Sequence, residues 1–202
     1  MESMKQQLAG LGAALLLLGS CNTNGSLTTS GLNPTAFDTT INGKKVELYT
    51  LTNGKGMEVC LTNYGGRVVS ISVPDKNGKA TDVVLGYDNI KQYADTLKSP
   101  SDYGSSVGRY ANRIKDAVLH IGDKSYQLKA NDNGNCLHGG GTTGWLNKVY
   151  DVQSVTDSSI VFAMTAPDGE NGFPGTVKAT ATYTVKSNNT LDIVFSATTD
   201  KE

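Results

Sequence analysis

The feature that most constrains this chain is an unbroken alternation near its C-terminal end. From Thr176 to Val185, Val177, Ala179, Ala181, Tyr183 and Val185 fall on one side, while Thr176, Lys178, Thr180, Thr182 and Thr184 fall on the other. A period of two is the signature of a strand with one buried and one wet face. Ser187-Asn188-Asn189 then makes a turn, and Leu191, Ile193, Phe195 and Ala197 resume the pattern, which predicts an antiparallel hairpin. The same pattern runs through the chain from Lys44 onward, with turn signals roughly every eight to twelve residues and no sustained helical period. Val68 to Val73 turns through Asp75-Lys76-Asn77-Gly78 into Val83-Val84-Leu85, and Ala117 to Ile121 turns at Gly122-Asp123 into Tyr126 to Leu128. The expected fold is all-β, an antiparallel β-sandwich.

Two segments break the rhythm, Tyr87 to Ala111 and Asn131 to Trp145, and long loops on a sheet framework are where function concentrates. Eighteen lysines and arginines nearly balance nineteen aspartates and glutamates, and no basic stripe occurs, so the footprint of a nucleic-acid binder is missing.

The N-terminus carries an address. Lys5 precedes an apolar stretch from Leu8 to Leu18, too short for a permanent membrane span, and Leu18-Gly19-Ser20-Cys21 follows. Residues 1–21 read as a lipoprotein-type export signal with Cys21 as the lipid-bearing terminus, which implies an exported, membrane-anchored bacterial protein, periplasmic or at the cell surface. An ordinary signal peptide is the alternative. Residues 22–37 begin with a run rich in Asn, Thr, Ser and Gly and are expected to form a flexible tether, leaving 38–202 as the folded part. Cys60 and Cys136 are taken as buried free thiols, with a disulfide as the alternative open to an exported protein.

Chemistry-bearing residues gather in the two long segments. Gly108-Arg109-Tyr110-Ala111-Asn112-Arg113-Ile114 offers two guanidinium groups, an amide and a phenol, all suited to sugar hydroxyls; solvated surface ion pairs are the plain alternative. Asn131-Asp132-Asn133-Gly134-Asn135-Cys136-Leu137-His138-Gly139-Gly140-Gly141 presents a histidine followed by glycines that would let a ligand approach the backbone. Trp145, Tyr87, Tyr110 and Phe173 are candidates for stacking on a sugar ring, though core packing is their commoner use. His120 lies opposite the apolar face of its strand and is assigned no role.

Six segments in order carry a family resemblance: Asn63-Tyr64-Gly65-Gly66-Arg67, Val73-Pro74-Asp75, Asp82-Val83-Val84-Leu85-Gly86-Tyr87, Gly108 to Ile114, Leu137-His138-Gly139-Gly140, and Asp168-Gly169-Glu170-Asn171-Gly172-Phe173-Pro174-Gly175. From about Phe37 onward the chain resembles the N-terminal part of an aldose 1-epimerase, or galactose mutarotase. The resemblance implies a large mutarotase-like sandwich of which this is the N-terminal portion. It also implies interconversion of the α and β anomers of free hexoses, galactose or glucose by default, through acid/base ring opening without metal or organic cofactor. By resemblance, Asn112, Arg113 and His138 are substrate-binding residues. The family's general acid is a histidine in a Thr-Asn-His segment and its general base a later glutamate. Neither has a counterpart before Glu202, so the catalytic pair is expected beyond that residue and this stretch alone is expected to be nearly inactive.

Three rivals are weighed. Gly104-Ser105-Ser106-Val107-Gly108 fits a hydrolase nucleophile pattern, but a strand rather than a helix is expected after it. A non-catalytic carbohydrate-binding module fits residues that bind rather than transfer protons. A metal site of His138, Cys136 and Cys60 matches no zinc spacing.

Overall fold

The computed structural model describes residues 26–97 and 102–202. The strands in chain order are β1 (Thr39–Ile41), β2 (Lys44–Val46), β3 (Leu48–Thr52), β4 (Glu58–Thr62), β5 (Arg67–Pro74), β6 (Ala80–Asp82), β7 (Arg113–Ile114), β8 (Val118–Ile121), β9 (Lys124–Gln127), β10 (Cys136–Leu137), β11 (Asp151–Val155), β12 (Ser159–Ala166), β13 (Val177–Lys186) and β14 (Thr190–Thr199), with a single short helix α1 (Ile90–Ala94) between β6 and β7. Two four-stranded antiparallel sheets, β3-β4-β5-β6 and β11-β12-β13-β14, form the framework, and three two-stranded ribbons, β1-β2, β7-β10 and β8-β9, decorate it.

The sheets pack face to face around one core. Leu51, Val59, Leu61 and Val68 meet Ile160, Phe162, Met164, Ala179, Ala181 and Tyr183. Alanines on β13 stand opposite bulk on β12, Ala181 beside Phe162 and Ala179 beside Met164, so small and large side chains alternate across the pair. The Phe162 ring meets Tyr49 and Tyr183 edge-on, both with centroids 5.9 Å apart, the orientation aromatic quadrupoles favour. The register of β4 on β5 shifts between Cys60 and Leu61, so that Cys60 faces Ser70 and Leu61 faces Val68. That bulge lets adjacent residues of β5 serve opposite faces: Val68 enters the inter-sheet core and Val69 a second cluster with Phe37, Val46, Cys60, Tyr64, Ile90 and Tyr93.

This second cluster corrects one expectation. Within the stretch expected to be a tether, Leu32 and Phe37 are buried, and a 3₁₀ turn at Pro34–Phe37 is capped by the Asn33 side chain. The polar residues are consumed as well: Thr29 N–H and Oγ1 donate to the Glu58 carboxylate at 2.7 and 2.8 Å, and Ser30 Oγ donates to Ser70 Oγ at 2.8 Å. Two apolar anchors and these bonds suffice to dock a segment whose composition alone reads as disordered. The Val83-Val84-Leu85 strand is likewise displaced: pairing with β5 occupies Ala80–Asp82 instead, and Val83 and Leu85 are exposed. The export segment and Cys21 lie outside the described residues.

The hairpin read from the alternation is present, with Lys186 facing Thr190 and Val177 facing Thr199 across ten paired positions. Its second strand is a bare edge. Ile193, Val194 and Phe195 are exposed, and a groove of about 520 Å³ separates Leu191, Ile193 and Phe195 from Val68, Ile71, Val84 and Leu85. A long, flat, apolar edge templates pairing with other chains. The 202-residue chain is therefore expected to self-associate with rising concentration, and Val194→Lys to suppress this severalfold in light scattering; equal scattering from both proteins would show that β14 is not the sticky element.

Candidate functional site

The two long segments meet. β7 and β10 form a two-residue ladder that sets Leu137 opposite Arg113 and Cys136 opposite Ile114. Just outside it, His138 N–H donates to Asn112 O at 3.0 Å and Asn112 N–H donates to His138 Nδ1 at 2.9 Å. Asn112, Arg113 and His138, singled out from segments 26 residues apart, are thus adjacent in space. A ring that accepts at Nδ1 carries its proton on Nε2, so the second bond fixes the tautomer as well as the ring's position. Nε2 lies 3.5 Å from Asp102 Oδ2.

Local backbone geometry explains the residue types. Asn112 (φ 63°) and His138 (φ 52°) are left-handed, a region that asparagine tolerates and histidine enters at a cost of about 1 kcal/mol. The glycines after His138 serve a different purpose from the one expected. Gly139 has φ 72°, and a Cβ there would stand 2.0 Å from Gly108 O and 2.7 Å from Arg109 N. The group approaching this backbone is the other site segment, not a ligand.

Arg113 and Arg109, alike in sequence, divide their labour. Arg113 Nε donates to Asp132 Oδ2 at 2.5 Å and Nη1 to Asn112 Oδ1 at 3.3 Å, leaving a side chain 54% exposed. Arg109 is spent on structure: Nη1 donates to Pro174 O and Gly175 O at 2.9 and 2.7 Å, and Nη2 to Ala166 O and Pro167 O at 3.0 and 2.7 Å. It staples the Gly108–Ile114 segment to the 166–175 turn. From that turn Asn171 Nδ2 donates to Gly139 O at 2.8 Å, so one turn braces both halves of the site. Asn131 braces the histidine segment from the other side, accepting from Leu137 N at 2.7 Å and donating to Leu137 O at 3.1 Å.

Arg67, the last residue of the Asn63–Arg67 motif, roots both segments. It is fully buried, with Nε donating to Tyr64 O at 3.1 Å, Nη1 to Tyr103 O at 3.2 Å and Nη2 to Leu146 O at 2.7 Å, and its guanidinium lies 4.8 Å above the Tyr93 ring. Burial lowers its pKa, opposed by the nearby Tyr93 and Tyr64. Tyr103 precedes one site segment and Leu146 follows the other, so one cation sets where the first begins and where the second ends. An arginine between a glycine turn and an apolar strand was the available signal.

The other sequence candidates fall elsewhere. Ser106 is buried and donates to Gly66 O at 2.8 Å beside the Tyr183 hydroxyl, so the hydrolase pattern holds no accessible nucleophile. Cys60 and Cys136 are buried free thiols in separate clusters, and desolvation raises both pKa values, which suits packing rather than metal binding with His138. Phe173 is buried beneath Arg109, Tyr87 packs on Tyr93 and Tyr103, and Trp145 lies against Gly108, where a Cβ would sit 2.1 Å from the indole. Tyr110 alone of the four is exposed. His120 is exposed and paired with Ser125 Oγ at 2.9 Å.

Residues 47–202 match the model of the aldose 1-epimerase family. The chain is 32% identical over 159 residues to an aldose 1-epimerase of Escherichia coli, covering 79% of this chain and 45% of that one. It is 38% identical over 143 residues to a mouse galactose mutarotase, covering 71% and 40%. Among solved structures, an aldose epimerase homologue from C. elegans superposes with a TM-score of 0.72 at 35% identity, over 77% of this chain and 46% of that one. A galactose 1-epimerase from Lactobacillus acidophilus gives 0.69 at 28% identity, over 81% and 47%. The chain spans about half the length of the relatives it matches, and its sheets are the N-terminal portion of their mutarotase-like fold. Motif, architecture and sequence therefore agree, and the chain belongs to the aldose 1-epimerase family.

Proposed function

We propose that this chain forms the sugar-binding half of an aldose 1-epimerase acting on free hexoses, with galactose and glucose as the first candidates. The observation that supports this reading best is the reciprocal lock between Asn112 and His138, which fixes the ring with its Nε2–H beside the segment that carries the half-exposed Arg113 guanidinium. These groups bind and orient oxygen atoms. Proton transfer in this reading falls to the Thr-Asn-His histidine and the later glutamate of the family; the two histidines of this sequence stand in other contexts.

The test separates binding from turnover. Galactose is expected to shift the amide resonances of Asn112, Arg113 and His138 in an NMR titration of the chain, while polarimetry shows no catalysed mutarotation. Arg113→Ala is expected to weaken that binding by about tenfold to a hundredfold, the usual worth of a charge-assisted hydrogen bond. Unchanged affinity in Arg113→Ala would remove this arginine from the site. Fast mutarotation by the 202-residue chain would refute the assignment of proton transfer to groups outside it. Sugar binding without turnover is also what a carbohydrate-binding module would show, and the family membership favours the enzyme.

A further inference from the structure

The site as described leaves one charged group unassigned. Asp102 opens the segment that leads to Gly108, and its carbonyl accepts from Ser105 N–H at 3.2 Å and Ser105 Oγ at 2.8 Å, which fixes its backbone. Its carboxylate, 55% exposed, faces His138 Nε2 across 3.5 Å. That separation is longer than a well-made hydrogen bond, so neither group is committed to the other. The ring's other nitrogen is already taken by the Asn112 amide, so Nε2 offers only a donor; an ionised carboxylate offers only acceptors.

A cleft of about 140 Å³ opens beside this pair. The amides on its wall are already used, Asn131 by both polar groups of Leu137 and Asn147 by Tyr64 Oη at 3.2 Å and Gly141 O at 3.3 Å. Besides the hydroxyls of Thr96 and Thr142, the cleft offers an adjacent donor and acceptor, one N–H and one carboxylate. The ligand fragment complementary to such a couple is a vicinal diol: one hydroxyl oxygen accepts from the N–H while its neighbour donates to the carboxylate. A lone hydroxyl can bridge the couple by accepting and donating at once, but only a diol gives the N–H and the carboxylate an oxygen each, and an anionic group is repelled by Asp102.

We propose that Asp102 is a specificity-determining residue of the sugar site, acting with His138 Nε2–H to hold two adjacent hydroxyls of a hexose. This rests on the sugar-site reading given above. It goes beyond it by naming a residue outside the family motifs and the chemical group it selects.

The test compares wild type, Asp102→Asn and Arg113→Ala by galactose titration of the 202-residue chain, with 15N shifts of the His138 ring recorded in each. Asp102→Asn keeps the shape of a side chain that is 55% exposed, and the ring shifts would reveal misfolding. The expected result is a Kd raised about tenfold or more, with the ring still in the Nε2–H form. One of the monodeoxygalactoses should lose as much affinity for wild type, yet bind wild type and Asp102→Asn alike, because the deleted hydroxyl and the deleted charge are the same contact. Equal galactose affinity in wild type and Asp102→Asn, with Arg113→Ala weakened, would overturn the role of Asp102 and leave the sugar site standing. A changed ring tautomer in Asp102→Asn would make the residue a prop for His138, and would also overturn it. If folded wild type binds neither galactose nor glucose, the sugar-site reading fails and this assignment fails with it.

Discussion

Arg67→Met is expected to destabilise the chain by about 3–5 kcal/mol, which for a domain of this size lowers Tm by roughly 10 °C or more. Methionine fills a similar volume with no donor. The carbonyls of Tyr64, Tyr103 and Leu146 then lose a cationic partner in a buried setting, each at about 1–3 kcal/mol before relaxation. The contact with the Tyr93 ring, worth about 1–2 kcal/mol when desolvated, is lost too. Relief from burying a charge offsets part of the sum. Arg67→Lys should fall between, since an ammonium keeps the charge but cannot reach three carbonyls from one plane. Urea unfolding of the three proteins measures this; a loss below about 1 kcal/mol in Arg67→Met would mean that the carbonyls find water and that Arg67 is not a root of the site. Sugar affinity should fall along with stability, because Tyr103 and Leu146 anchor the two binding segments.

Gly139→Ala should be a severe single-methyl change within the site itself. The left-handed backbone alone costs an alanine about 1–2 kcal/mol. The methyl would also stand 2.0 Å from Gly108 O, and since the obstacle is backbone, a segment must move, at about 1–3 kcal/mol more. Separating the two segments breaks the Asn112–His138 pair of hydrogen bonds, so galactose affinity is expected to drop about a hundredfold, the scale associated with a misplacement of about 1 Å. Gly169→Ala is the matched control: its φ is 80°, but a Cβ there meets nothing within 4 Å. It should show the backbone cost without the loss of affinity. Equal behaviour of the two variants in urea and in titration would show that the close approach at Gly139 has no consequence.

What the sequence revealed and what it hid follow from the range of the interactions involved. The β13–β14 hairpin is legible because apolar residues repeat every second position in both strands; the core reads that repeat on β13, while Ile193 and Phe195 of β14 stay exposed. α1 was not, because Ile90–Ala94 is a single turn and a half, too short to display a helical period. The docking of Thr28–Phe37 was missed because it rests on partners at Glu58 and Ser70, which no local pattern announces. At the site, Asn112, Arg113 and His138 came from motif resemblance, and their adjacency is a tertiary fact. Arg109 and Arg113 illustrate the limit best. Four residues apart in one motif, they differ only in what the 166–175 turn and Asp132 bring to meet them. The glycines after His138 suggest room for a ligand, whereas in the fold that room is taken by Gly108 at Gly139, by Asn171 at Gly140 and by Asn131 at Gly141.

Trp145, the chain's single tryptophan, has its ring packed where Gly108 lacks a side chain, and its indole N–H is buried without a hydrogen-bond partner among the described residues. Indole emission responds to polarity and to neighbouring dipoles, so the site carries its own optical probe. The wavelength and intensity of its fluorescence report on the seam between the two binding segments and on the inter-sheet core it packs against. Sugar occupancy, urea-induced opening and any rearrangement of the Gly108 segment can therefore be followed in unlabelled protein, at micromolar concentrations where the bare strand edge does least harm.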